Sequence, residues 1–147
     1  MSTPLIIRPA RFKDLPDIKK CNERNLPENY DIDTWKTFLG GQIRNSYVLT
    51  NAADVIVGYI VCSESDLLSF AIDDPYRHIG YGVLLLNRVI ETCAQNEIPH
   101  IVLHVRCGNL NARTLYEKSG FVIQSTVSSY YLDPVEDALQ MKLKLIK

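Results

Sequence analysis

The order of apolar periodicities predicts an α/β domain: a mixed, mostly antiparallel sheet with helices on both faces. Three observations point to it. Short β-rich runs and longer 3.6-period segments follow one another as β-α-α-β-β-β-α-β-α-β-β. A glycine-bearing turn, Arg77-His78-Ile79-Gly80-Tyr81-Gly82, follows one strand and opens a helix. A second apolar strand, Ile101–Val105, runs into a helix that Asn109 can cap.

Leu5–Arg8 reads as the first strand, closed by Pro9. Asp14 can cap a helix through about Asn25, with Pro16 in its first turn and Leu15, Ile18, Lys19 and Asn22 on one stripe. Leu26–Tyr30 is a loop, and Asp31 or Asp33 starts a short helix through Leu39 that Gly40-Gly41 ends. Ser46–Thr50 and Val55–Glu64 form a hairpin around Asn51–Asp54. Ser65-Asp66 turns into the strand Leu67–Ile72. The helix from about Gly80 to Gln95 presents Val83, Leu86, Ile90 and Cys93 as a face with Leu85 and Val89 beside it, and Asn96–Pro99 breaks it. Gly120 stops the last helix, and Phe121–Ser128 with Ala138–Leu145 make a closing hairpin around Asp133-Pro134.

With 147 residues, 46% hydrophobic and 22% charged, the chain reads as a single domain, residues 1–147. A net charge of −1 argues against direct nucleic-acid binding, which needs a basic footprint. No apolar run suits a bilayer, and Met1-Ser2-Thr3-Pro4 has no signal-peptide character. Cys21, Cys62, Cys93 and Cys107 are scattered, without metal spacing, and read as reduced thiols of a cytosolic or nuclear protein. No metal is expected.

The glycine turn has a direct chemical reading. A turn that feeds a helix leaves backbone N–H groups unpaired at the positive end of the helix dipole, which suits a pyrophosphate. Gly80 and Gly82 let backbone approach such a ligand, and Arg77 adds a charged donor. On the strand Ile101–Arg106, alternation puts Val102, His104 and Arg106 on one face. His104 is either a hydrogen-bonded histidine facing the core or a proton acceptor near neutral pH. Tyr116 shares a helix face with Ala112 and Leu115, where an aromatic is ordinarily packing.

These segments taken together, Arg77-x-x-Gly80-x-Gly82 and then Leu103-His104-Val105-Arg106, Asn109-x-x-Ala112-x-x-Leu115-Tyr116 and Gly120-Phe121, resemble the GNAT superfamily of acyl-CoA-dependent N-acetyltransferases. The resemblance runs the length of the chain. Leu-His-Val-Arg, the loop Leu26-Pro27-Glu28-Asn29-Tyr30 and Ser129-Tyr130-Tyr131 are similar to the NatA-type catalytic subunits that acetylate N-terminal α-amines.

The resemblance implies a GNAT fold, acetyl-CoA as co-substrate and direct attack in a ternary complex. It implies that the amides of Phe70 and Ile72 hold the pantetheine arm, and that Arg77, His78, Gly80, Gly82, Val83 and Asn109 contact the coenzyme. His78 departs from the pattern, since a second Arg or Lys is frequent there. Tyr116 would point its hydroxyl at the sulfur, and His104 or Glu28 would take the proton. Leu26, Pro27, Glu28, Tyr30, Tyr130 and Tyr131 would hold the peptide end. A protein or peptide N-terminus as partner, a helical-repeat auxiliary subunit, ribosome association and a cytoplasmic location are expectations of the same kind. Two alternatives stay open: an acetyltransferase of lysine side chains or small amines, and a non-catalytic acyl-CoA-binding module.

Overall fold

The computed structural model describes residues 4–39 and 43–145. Among them, seven strands form a sheet in the order β1-β2-β3-β4-β5-β7-β6. The strands are β1 (Ile6–Pro9), β2 (Tyr47–Thr50), β3 (Ile56–Ser63), β4 (Asp66–Ile72), β5 (His100–Arg106), β6 (Val122–Leu132) and β7 (Val135–Lys144). The helices are α1 (Leu15–Asn25), α2 (Ile32–Leu39), α3 (Tyr81–Gln95) and α4 (Leu110–Lys118). All neighbouring strands run antiparallel except β4 and β5.

Each face of the sheet has its own core, as strand alternation requires. Leu15, Ile18 and Cys21 of α1 and Trp35 of α2 pack with Val48, Tyr59, Val61 and Ala71 on one face. Leu85, Leu86, Val89 and Cys93 of α3 and Tyr116 of α4 pack with Ile60, Cys62, Ile101, Leu103 and Met141 on the other. Burying one leucine or valine side chain stabilises by about 1.5–3 kcal/mol, so these two layers dominate the energetics.

Several sequence expectations need correction. Asp14 makes no capping bond to α1. Its carboxylate accepts from Arg8 Nη1 at 2.8 Å and from the Arg11 amide at 2.7 Å, so groups upstream of the helix take the oxygens that a cap would use. Asp31, not Asp33, caps α2 by accepting from the Thr34 amide at 2.7 Å. On α3 the flanking positions Leu85 and Val89 are fully buried with Leu86 and Cys93, while Val83 is 45% exposed, so the inward stripe is centred nearer Leu85 and Val89 than the predicted face. The closing strands extend further toward their turn, so Ser129, Tyr130 and Tyr131 belong to β6 rather than to a loop. The proposed stop at Gly40-Gly41 lies outside the described residues.

The feature that makes room for a site is the β4–β5 seam. Only Asp66 and Val102 pair across it, whereas β5 and β7 stay in register from His100 to Arg106. Beyond Asp66 the two parallel strands diverge. In β4, Leu68 is an extra residue against Val61 and Cys62, a bulge that turns the strand as it leaves its neighbour.

Candidate functional site

The gap between β4 and β5 opens into two adjoining cavities. One, of about 400 Å³, is walled by Phe70 and Ile72 of β4, the turn 77–83, and Asn109, Ala112 and Leu115. The other, of about 460 Å³, is walled by the loop 26–30, the start of β4, His104 and Arg106 of β5, and Tyr130 and Tyr131 of β6. Leu26, Phe70, Asn109, Ala112 and Tyr116 line both, so the two spaces meet at the Tyr116 ring.

In the first cavity the turn is strongly shaped. His78 (φ 63°) and Gly80 (φ 100°) both sit in the left-handed region, and Gly80 is the cap residue of α3. Leu84 is the residue whose amide bonds back to Gly80, at 3.2 Å, so the first-turn amides before it lack a helical acceptor. A Cβ on Gly82 would lie 3.6–3.7 Å from Leu115, Phe70 and Ile72, against the cavity wall. A short helix start, open amides and a side-chain-free residue facing the space fit an elongated anionic ligand.

Arg77 behaves differently from the sequence expectation of a free charged donor. Its Nε donates to the Ile72 carbonyl at 2.7 Å and its Nη2 to Asn25 Oδ1 at 2.6 Å. Asn25 in turn donates to Asp73 at 2.7 Å, which also takes Arg24 at 2.9 Å. Burial pushes the Asp73 carboxyl up, but the bonds from Arg24 and Asn25 outweigh it and hold it below its ordinary range. This network pins the end of α1 to the end of β4. Arg77 therefore braces the turn, and its third nitrogen, Nη1, lies 3.6 Å from the exposed Asp74 carboxylate.

In the second cavity the His104 ring lies flat on Tyr130, with centroids 4.5 Å apart and planes 7° apart. Desolvation lowers the His104 pKa below its ordinary value, and the Asp66 carboxylate opposes that shift. The shift favours the neutral imidazole, the form in which its ring nitrogen can accept a proton. Two extra residues in β6 between Val127 and Tyr131, with Ser129 left-handed at φ 51°, bring Tyr130 to His104 and Tyr131 under Arg106.

Glu28 is not a free carboxylate. Its Oε1 accepts from Arg106 Nε at 2.7 Å and also meets Nη2 of the same guanidinium. Tyr30 packs edge-on to Trp35, and burial raises its pKa. Tyr116 is 7% exposed, between Phe70 and Phe121, and burial pushes its phenol up, so the hydroxyl stays protonated. Asn109 caps α4 by accepting from the Ala112 amide at 3.2 Å.

The structure thus brings all the sequence-predicted residues to the two cavities. What the sequence reading missed is Arg106, Asn25, Asp73 and Asp66. Of these, only Arg106 had a local signal, since it shares the His104 face by alternation. Burial raises the Cys21 thiol to about 12, and a hydrogen bond with Cys93, together with burial, raises Cys62 while lowering Cys93. Among the described residues no three His, Cys, Asp or Glu side chains gather as a metal site, and no helix is long and apolar enough to cross a membrane.

Comparison with known proteins agrees with this geometry. Residues 13–121 match the Acetyltransferase (GNAT) family. Human N-alpha-acetyltransferase 30 is 30% identical over 95% of this chain, which spans 41% of that relative's length. The N-terminal acetyltransferase A complex catalytic subunit ard1 of Schizosaccharomyces pombe is 33% identical over 92% of this chain and 82% of its own. The Escherichia coli ribosomal-protein-S18-alanine N-acetyltransferase superposes with a TM-score of 0.87 at 25% identity, covering 98% of this chain and 96% of the other. Arabidopsis thaliana Naa50, in complex with the bisubstrate analogue CoA-Ac-MVNAL, does so with 0.81 at 27%, covering 94% and 97%. With a family match over most of its length and the fold shared with these structures, the chain belongs to the GNAT acetyltransferase family.

Proposed function

We propose that this chain transfers the acetyl group of acetyl-CoA to the α-amine at a protein or peptide N-terminus. The observation that carries the reading is the meeting of the two cavities at Tyr116, one beside the anion-suited turn, the other beside His104. In this reading the turn 77–83 takes the pyrophosphate, with Asn109 beside the coenzyme. The Phe70 and Ile72 amides hold the pantetheine arm along the diverging edge of β4. The peptide end enters between the loop 26–30 and Tyr130/Tyr131.

The amine nitrogen attacks the thioester carbonyl carbon, the C–N bond forms and the C–S bond breaks. His104 takes the proton that leaves the amine, and the Tyr116 hydroxyl hydrogen-bonds the departing thiolate. Glu28, held by Arg106, presents its second oxygen to the peptide end.

Magnitudes favour an α-amine over a lysine. An α-amino group titrates near 8 and a lysine near 10.4, so against a base at or below 6.5 the proton transfer is uphill by about 2 and about 5 kcal/mol respectively. A histidine lowered further by burial widens both gaps equally, so lysine's disadvantage of about 3 kcal/mol persists. The fission-yeast relative is named as the catalytic subunit of a complex, which supports the further reading that this chain works with a partner subunit.

A thiol-release assay tests the function. Peptides beginning Met-Leu, Ser-Glu, Ala-Glu and Glu-Glu are compared with an N-terminally blocked peptide carrying internal lysines. At least one free N-terminus should support turnover and the blocked peptide should not. Turnover on the blocked peptide alone would overturn the α-amine reading.

A further inference from the structure

We propose that Arg106 is a positioning residue that staples together the two walls of the peptide slot and so fixes its width. The two walls come from opposite ends of the chain, the loop 26–30 and the β6–β7 hairpin. Arg106 stands between them at the end of β5, with its side chain only 12% exposed.

Every nitrogen of its guanidinium is used. Nε donates to Glu28 Oε1 at 2.7 Å, on one wall. Nη1 donates to the Pro134 carbonyl at 2.8 Å and to Glu136 Oε1 at 3.2 Å, on the other. Nη2 meets Glu28 as well and donates to the Asp133 carbonyl at 3.2 Å. The plane of the group covers the Tyr131 ring at 4.3 Å from its centroid. A planar fork can reach acceptors on two sides while stacking on a ring, and a lysine ammonium cannot.

Both ends of the staple are anchored from behind. Asn22, fully buried in α1, donates from Nδ2 to the Glu28 carbonyl at 3.0 Å, so the loop is held by main chain and side chain alike. Glu136 takes the Gly108 amide with its second oxygen at 2.7 Å, tying the hairpin to the β5–α4 turn. A largely covered cation with complete pairing is costly to break, because its partly desolvated partners are then left unmatched. The walls are therefore set before a peptide arrives, and the peptide does not bear the cost of ordering them.

The inference rests on the peptide-slot reading, and its test separates the two. Amide hydrogen exchange is measured on ligand-free wild type, Arg106→Gln and Arg106→Lys, followed by peptide kinetics at saturating acetyl-CoA. In Arg106→Gln the segments 26–31 and 129–136 should lose protection together. The KM for peptide should rise by about tenfold or more while coenzyme affinity stays within about twofold, as expected for lost positioning rather than lost chemistry. Arg106→Lys keeps the charge without the fork and should fall between, which covers the case in which the glutamine variant does not fold. Loosening of one segment or neither overturns the proposal, and so does a drop in kcat at unchanged KM. A wild type inactive on every peptide would instead sink the slot reading, with the exchange result still deciding the staple.

Discussion

The imidazole of His104 lies parallel to the phenol ring of Tyr130, 4.5 Å from centroid to centroid. The stack covers one face of the histidine and keeps water from it, and this burial outweighs the pull of Asp66 on its protonation. Tyr130→Ala should therefore rehydrate His104 and raise its titration midpoint toward 6.5, the ordinary value. Proton NMR of the ring, against the background of His78 and His100, reads this directly. A midpoint that does not move, or moves down, would contradict the stacking account.

Removing the opposing charge acts the other way. Asp66→Asn takes away a carboxylate that favours the imidazolium, so the His104 midpoint should fall further. With His104 as the proton acceptor, turnover at saturating substrates should hold as pH drops through 6.5 and decline only below it. His104→Ala should lower kcat by about 10²–10³ with coenzyme affinity within about twofold. Steady-state pH profiles check both, and an unchanged kcat would move the acceptor to Glu28 or a water.

The coenzyme end depends on space and backbone shape. Gly82→Ala should be tolerated, since its Cβ meets neighbours at ordinary contact distances of 3.6–3.7 Å, whereas Gly82→Val should push methyl groups into the cavity. Calorimetric titration with coenzyme A should show a clear affinity loss for valine only. Gly80→Ala should cost about 1 kcal/mol in stability, because a side chain resists the left-handed backbone there (φ 100°). Arg77→Ala should lower both melting temperature and coenzyme affinity, as its guanidinium braces Ile72 and Asn25.

Acid sensitivity should localise to a buried pair at the start of the fold. Burial raises the Asp14 carboxyl, but its bonds from Arg8 and the Arg11 amide outweigh this and hold it below 3.8. A carboxylate depressed on folding contributes its stability above the unfolded value and loses it as pH falls through the folded one. Asp14→Asn should thus destabilise by about 1.5–3 kcal/mol at neutral pH, because Arg8 keeps only Asp54 at 3.4 Å and the Pro9 carbonyl at 3.3 Å. The gap to wild type should shrink below pH 3.8, as denaturant melts at several pH values would show.

The fold and the site differed in how readable they were. Period and punctuation located every strand and α-helix among the described residues but not the short 3-10 turns Phe12–Asp14 and Asp74–Tyr76, because only long apolar runs such as Ile101–Val105 and Leu84-Leu85-Leu86 have one energetically sensible placement each. Local chemistry also revealed the turn at Gly80 and Gly82. What stayed hidden are partnerships across the chain. Arg106 meets Glu28 across 78 positions and Arg77 meets Asn25 across 52, and no periodicity encodes such pairs. The competition at Asp14 shows the same limit: a capping residue read locally was claimed by Arg8, six residues upstream on β1. Tyr130 and Tyr131 were recognised as a pair, but the β6 bulge at Ser129 that aims them was not.

The central claim is that the acceptor is a chain end. Fragmentation mass spectrometry of a single product tests it most directly, using a peptide with both a free N-terminus and an internal lysine, incubated with the protein and acetyl-CoA. The acetyl group is expected on the first residue's nitrogen, with the lysine unmodified. An acetyl group found on the lysine while the N-terminus stays free would contradict the account.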